Sequence, residues 1–542
     1  MNRLLVFTML MLLSFAGMSN DNKELGIVPQ PKKVKITDRE NQFVINAQTT
    51  LAYKKGVQNT ASYLLDRITT ATGWDLERSG KKSSNCIVLD IDKNVSNNKD
   101  AYTLVSNQNK VLITGASEQG LFYGVQTLLQ LLPTEIYSQS TRFDVDWKVP
   151  SVEIEDEPAF TRYRGMQMDI SRHFRTKEEI METLDIMAMH KMNTLHLHFS
   201  DDDGWRIESK IYPKLNTLGS IGSRSNVGEG RSYILTQKEM KEIIAYANDR
   251  FIKIFPEIDM PGHMLAVIRS YPELGSETDL REPKKVIRID EKGAEFCRNV
   301  LREIAELFGS EEIHLGFDEV NLGSKTTIYT DEQIIAFAKS MTKFVKEELK
   351  LTPILWDDAF EKGLHDKDCI AHWWRYGKIH WWKDMELTID EKAQKLDQPY
   401  IMSPANYTYF DMRNVKKKKG EKSIGAGWAK EISVAQIYAW DPFLDLVNYD
   451  ESKRHLAQGI ICATWSEGIK TMEIFEFLVY PRLATMSEKC WAHTFADVEK
   501  IPWEDYRDNV LMKQLKRYDE LGIEYWSKGD LNLLKSIKSE KK

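Results

Sequence analysis

The chain predicts an α/β fold, a (β/α)8 TIM barrel catalytic domain preceded by a small α+β domain, and three features of its 542 residues carry that reading. Beyond residue 158, short apolar runs alternate with amphipathic helical patterns such as EEIMETLDIMAMHK and QKEMKEIIAYANDR, the rhythm of parallel β/α units. Eight of these runs end near Asp169, Phe199, Glu257, Phe317, Trp356, Trp374, Ser403 and Trp465. Polar residues follow each run at once, and in a barrel such positions converge on the C-terminal face, where active sites of this architecture are built.

Taken in order, residues 1–19 read as a signal peptide: one positive charge at Arg3, an apolar run over residues 4–15, and small residues at Ala16, Gly17 and Ser19. The run is too short for a comfortable membrane span and polar residues follow it directly. The expectation is an exported protein, periplasmic or secreted, with no membrane span after cleavage. Residues 25–150 form the small α+β domain, with strand-like VKITDRENQFVINA, NCIVLDID and AYTLVSNQNKVLITGAS closed by the apolar helix pattern EQGLFYGVQTLLQLLP. VPSVEIEDEPAF, carrying Pro150 and Pro158, reads as the linker. The barrel then occupies 158–500, and 501–542 is a helical extension with a Lys-rich tail ending in SIKSEKK.

Composition excludes several classes. With 74 Lys+Arg against 81 Asp+Glu and both signs interspersed, the net charge of −7 offers no footprint for nucleic acid or an anionic membrane. A neutral partner fits better. The 14 Trp include a cluster between Trp356 and Trp465, and although most single tryptophans are core, together they supply flat faces on which sugars stack. Cys86, Cys297, Cys369, Cys462 and Cys490 are odd in number and widely spread, which argues against a disulfide framework.

Among the strand ends, IHLGFDEV places Asp318 and Glu319 together at the rim. Side chains alternate along a strand, so the chain must turn at Asp318 if both are to serve one pocket. Glycosidic cleavage needs a carboxylic acid at the leaving oxygen and negative charge near the anomeric centre, and two carboxylates in unlike environments provide them. An Asp-Glu dipeptide alone is weak evidence, since most are solvated surface.

The order of DISRHF, HLHFSDDDGWRIE, EIDMPGH, HLGFDE, SPANYTYFD and ATWSEG is more specific, and with it the chain resembles glycoside hydrolase family 20, the β-N-acetylhexosaminidases, over nearly its whole length. That resemblance implies an exo-acting enzyme that removes terminal N-acetylhexosamine from a glycan, with the substrate's own acetamide as nucleophile. It implies Glu319 as general acid and base, Asp318 as the carboxylate that orients the acetamide, and Tyr409 as donor to its carbonyl oxygen. Trp356, Trp374 and Trp465 would wall the acetyl slot, with Trp373 left as an alternative to Trp374, and Trp428 would form floor or rim. Arg172 would grip ring hydroxyls, as a planar fork of donors can, with Asp411 and Glu467 as acceptors. Asp201 and His263 would tune the glutamate's proton affinity, His198 and Asp259 would support their loops, and Asp202 and Asp203 would be solvent-facing or structural. No cofactor and no metal is implied, and a homodimer is a candidate assembly.

One departure stands out: the family reads His-x-Gly-Gly-Asp-Glu, and here the second glycine is Phe317. Its ring is expected in the barrel interior or at the pocket wall. Two rival readings remain. His196-x-His198 with Asp201 and His263 resembles the ligand set of a metal-dependent hydrolase, but no further His or Lys ends a later strand as such sites require. A sugar-binding protein on a degenerate barrel would keep the tryptophans and Arg172 with no reason to keep Asp318, Glu319 and Tyr409 together.

Overall fold

A computed structural model describes residues 18–79, 84–221, 232–376, 389–417, 424–443, 450–492 and 501–526. The expected leader, apart from its last two residues, and the Lys-rich tail lie outside the described residues.

Seven strands build the N-terminal layer: β1 (Lys33–Val44), β2 (Thr50–Tyr53), β3 (Glu77–Arg78), β4 (Cys86–Ile91), β5 (Tyr102–Asn107), β6 (Lys110–Gly115) and β7 (Lys148–Asp156). They form one mixed sheet in the order β1-β7-β5-β6-β4-β2-β3. The helix Glu118–Leu131 packs on it, its start fixed by the Ser117 hydroxyl, which accepts the Gly120 N–H at 3.3 Å. From Gly120 to Leu131 every residue of this helix is buried, as its all-round apolar sequence requires. VPSVEIED is therefore a strand of this sheet and not a free linker.

Eight parallel strands then close into a barrel: β8 (Tyr163–Asp169), β9 (Thr194–His198), β10 (Lys253–Met260), β11 (Glu312–Gly316), β12 (Thr352–Trp356), β13 (Ile370–Trp373), β14 (Tyr400–Met402) and β15 (Ala457–Cys462). Helices between them are cut to length by local signals. Thr176 and Thr236 each form a capping box with the glutamate three residues on, and Asp290 caps the helix Glu291–Phe308, which ends at Gly309 in the left-handed region. Inside the barrel, Tyr163, Phe255, Ile354, Ile370, Ile401 and Ile461 pack as one apolar layer. Closer to the C-terminal rim, register aligns Asp169, His198, Glu257 and His314 in one row across four adjacent strands.

Buried charge joins the two layers. Arg164 on β8 contacts Asp100 at 2.8 Å and Lys191 contacts Asp156 at 3.0 Å, and Trp491 donates to the other oxygen of Asp156 at 2.8 Å. All five cysteines are buried and unpaired, so packing and these contacts hold the fold.

Candidate active site

A cavity of about 1140 Å³ opens at the C-terminal end of the barrel. All ten residues expected to be catalytic or to touch the sugar line it, and so does His263.

The carboxylate pair reaches the cavity through an unusual backbone path. β11 ends at Gly316, and positive φ follows at Gly316 (72°), Phe317 (73°) and Glu319 (49°). The reversal is thus made at Phe317 and Glu319, on either side of Asp318, where the sequence had suggested Asp318 itself. Gly316 has no alternative, because a Cβ there would lie 1.7 Å from Asp259 Oδ1. Phe317 enters the same left-handed region with a bulky side chain, at a cost of roughly 1–2 kcal/mol. Its ring is neither in the barrel interior nor at the pocket wall: it is fully buried against Phe337 of the surrounding helix Asp331–Phe344, centroids 5.9 Å apart. Positive φ turns the side chain outward, and Phe317 is not among the residues that line the cavity.

Two neighbours steady the pair. Asp259 accepts the Phe317 N–H at 3.2 Å, and Asp358 accepts the Glu319 N–H at 3.4 Å. Burial pushes the Asp318 carboxyl up to about 7, against the pull of His263 and with the help of Asp358 and Glu319. Asp318 Oδ1 finds no hydrogen-bond partner among the described residues. His263, itself at φ 52°, places Nε2 3.7 Å from Glu319 and 3.8 Å from Asp318, while its Nδ1 lies 3.1 Å from Asp201 Oδ1. Although burial opposes charge on His263, Asp201 outweighs it and holds the imidazole well above its ordinary value.

Behind this arm, Asp201 Oδ2 meets Arg172 at 2.7 Å and His198 Nε2 at 3.0 Å. Arg172 is further held by Asp169 at 3.2 Å and lies 5.0 Å over the Trp465 ring. Glu467 is 3.9 Å away. Burial and then Glu467 raise the Asp411 carboxyl well above the usual range, and its Oδ1 also lacks a partner among the described residues.

Aromatic rings make the opposite wall. Tyr409 stacks on Trp374 (6.2 Å, 16°) and meets Trp428 edge-on at 5.7 Å and Trp465 at 6.2 Å. Trp374 faces the cavity, its indole N–H donated to Asp358 at 2.9 Å. Trp373 turns away, packing on Tyr400 and donating to the Arg375 carbonyl. Asp203 is buried, not solvent-facing, and Asp202 bonds Lys285 at 2.7 Å.

Glu257 and Asp358 are structural partners that sequence reasoning did not single out. EIDMPGH and ILWDD contain them, but their importance comes from contacts 59 and 99 residues away for Glu257, and 39 for Asp358. Two donor sets, His196–Glu257–His314 and Asp201–Asp259–His263, are compact enough for a cation. One carboxylate of each set is already engaged, Glu257 with His198 and the Trp356 indole and Asp201 with His263, whereas His196 Nδ1 and Nε2 and Asp259 Oδ2 make no hydrogen bond among the described residues.

A parallel barrel whose C-terminal rim joins paired carboxylates, a buried arginine and an aromatic wall is the build of a glycoside hydrolase. Residues 161–494 match the catalytic domain of glycosyl hydrolase family 20, and residues 24–157 match domain 2 of the same family. The chain belongs to glycosyl hydrolase family 20. It is 31% identical over 497 residues to a β-hexosaminidase of Porphyromonas gingivalis, covering 87% of this chain but only 61% of that protein's length. The solved structure of the family 20 β-N-acetylhexosaminidase of Streptomyces coelicolor A3(2) superposes with a TM-score of 0.82 at 26% identity, over 94% of this chain and 99% of the other. A mutant Streptomyces plicatus β-hexosaminidase in complex with its product GlcNAc superposes with a TM-score of 0.81 at 26% identity, over 94% and 98%.

Proposed function

We propose that this chain is an exo-acting β-N-acetylhexosaminidase that removes terminal non-reducing β-linked GlcNAc or GalNAc from glycans with retention, through an oxazolinium intermediate. The observation that carries the reading is the placement of Asp318 and Tyr409 in one cavity with Glu319 and the Trp356, Trp374 and Trp465 walls. An aromatic slot beside a buried carboxylate suits an acetamide, whose methyl is apolar and whose N–H needs an acceptor. The glycan relatives named above support the sugar class.

In the first step the acetamide carbonyl oxygen attacks the anomeric carbon, the glycosidic C–O bond breaks, and Glu319 gives its proton to the leaving oxygen. Ionised Asp318 accepts the acetamide N–H and offsets positive charge on the ring that forms, while Tyr409 orients the attacking oxygen. In the second step water attacks the same carbon, Glu319 takes its proton, and the oxazolinium C–O bond breaks. Two inversions give retention. Export to the periplasm or beyond the cell is the location that the leader pattern supports.

Release of 4-nitrophenol from gluco- and galacto-configured N-acetyl substrates, with the non-acetylated glucoside as control, tests the reading. Glu319→Gln should abolish cleavage of poor leaving groups, Asp318→Asn should impair turnover with the fold intact, and a thiazoline mimic of the intermediate should inhibit strongly. Activity on the control alone, or an Asp318→Asn variant as fast as the parent, would overturn it.

A further inference from the structure

Glu257 lies wholly buried beneath the cavity floor, and four ring nitrogens surround its two oxygens. His198 Nδ1 and His196 Nε2 lie 2.6 and 2.9 Å from Oε2, and the Trp356 indole N–H and His314 Nδ1 lie 2.8 and 3.1 Å from Oε1. It sits in the register row between His198 on β9 and His314 on β11. One of its oxygens therefore leads to the proton-handling arm, His198 to Asp201 to His263 to Glu319, and the other to the Trp356 wall. We propose that Glu257 is a positioning residue that sets His198, and through it Asp201 and the acid/base arm, in register with the Trp356 wall. This deepens the reading above and rests on it.

The physical reason is the division of Asp201. Its Oδ2 is taken by His198 and Arg172, which leaves Oδ1 aimed at His263 Nδ1. The ring angle of His198 decides where Oδ2 is held, and that angle is set by the short bond from Nδ1 to Glu257. Burial alone would strip His198 of its proton, yet Glu257 and then Asp201 outweigh it and hold it up to about 10, so the ring bridges two carboxylates as a cation.

Glu257→Gln is close in shape. Its amide oxygen can keep the Trp356 indole, which only donates, and its amide N–H group then faces His198 Nδ1. A neutral His198 can accept it there and still donate from Nε2 to Asp201. Volume survives; the charged bridge does not.

In the full-length protein, kcat and KM are measured on an N-acetylglucosaminide with a poor leaving group for the parent, Glu257→Gln, Asp201→Asn and the double variant. Glu257→Gln should lower kcat by about tenfold or more with KM little changed, and most of that loss should vanish in the Asp201→Asn background, because both changes break one arm. Equal losses in the two backgrounds, or a kcat within about twofold of the parent, overturn the inference. His198→Asn cuts the link while sparing the Trp356 contact, so it serves if Glu257→Gln fails to fold: it should show the same non-additivity, and additivity there overturns the inference. A parent that leaves the N-acetyl substrate intact instead overturns the functional reading and the inference with it.

Discussion

Replacing Phe317 by glycine and by alanine separates two contributions that oppose each other at one residue. Its ring is fully buried against Phe337, and deleting a buried phenylalanine ring costs about 3–5 kcal/mol in lost burial and residual cavity. Its φ of 73° costs a side-chain-bearing residue roughly 1–2 kcal/mol, which alanine retains and glycine does not. Glycine loses part of that gain through the larger freedom of its unfolded chain, about 0.5–1 kcal/mol. Phe317→Ala should therefore destabilise by about 4 kcal/mol and Phe317→Gly by about 1 kcal/mol less, the reverse of the usual preference for alanine. Urea midpoints with m values compared across the three proteins read this out. Because glycine already suits the path leading to Asp318 and Glu319, kcat/KM of Phe317→Gly should stay within about threefold of the parent. An alanine variant as stable as the glycine variant, or two neutral substitutions, would refute the account of how this turn is held.

Other outcomes follow from the same geometry. In the proposed mechanism Asp318 acts ionised, and burial pushes it up to about 7, so activity should be present above neutrality and fall as pH drops through that value; Asp358→Asn, which removes a neighbouring like charge, should move this acid limb of kcat/KM to lower pH. Arg172→Lys keeps charge but loses the fork that meets Asp201 and Asp169, and KM should rise by about tenfold or more in initial-rate assays. Incubation with a strong chelator should leave initial rates unchanged, since Glu257 and Asp201, one carboxylate in each compact cluster, are already hydrogen-bonded within the protein; loss of activity restored by zinc would contradict this.

Much of this architecture was legible in the sequence because a barrel strand announces its exit chemically. All eight expected strand ends fall within three residues of those observed, for each apolar run stops where polar residues begin. Alternation along a strand was a poorer guide once the strand had ended. β13 finishes at Trp373, so period-two reasoning could not say that Trp374 faces the cavity. Positive φ at Phe317 defeated the same rule in a different way, by turning outward a side chain that an extended backbone would have aimed elsewhere. VPSVEIEDEPAF looked like a linker because its prolines hid a strand that pairs with both β1 and β5. Glu257 and Asp358 were beyond reach for another reason: nothing within a few residues of either distinguishes it from any carboxylate near a strand end.

The ion pairs between the two layers bear on how such proteins can be divided or recombined. Asp100 and Asp156 belong to the segment that matches domain 2, whereas Arg164 and Lys191 belong to the segment that matches the catalytic domain. A barrel expressed without the preceding segment would lose the carboxylates that pair with Arg164 and Lys191, and with Tyr123 and Tyr102 part of the cover over both cations, leaving that face of the barrel open to water. The boundary between the two matches is therefore a seam in sequence but not in folding. A chimera that grafts another relative's first segment onto this barrel would need to bring both aspartates with it.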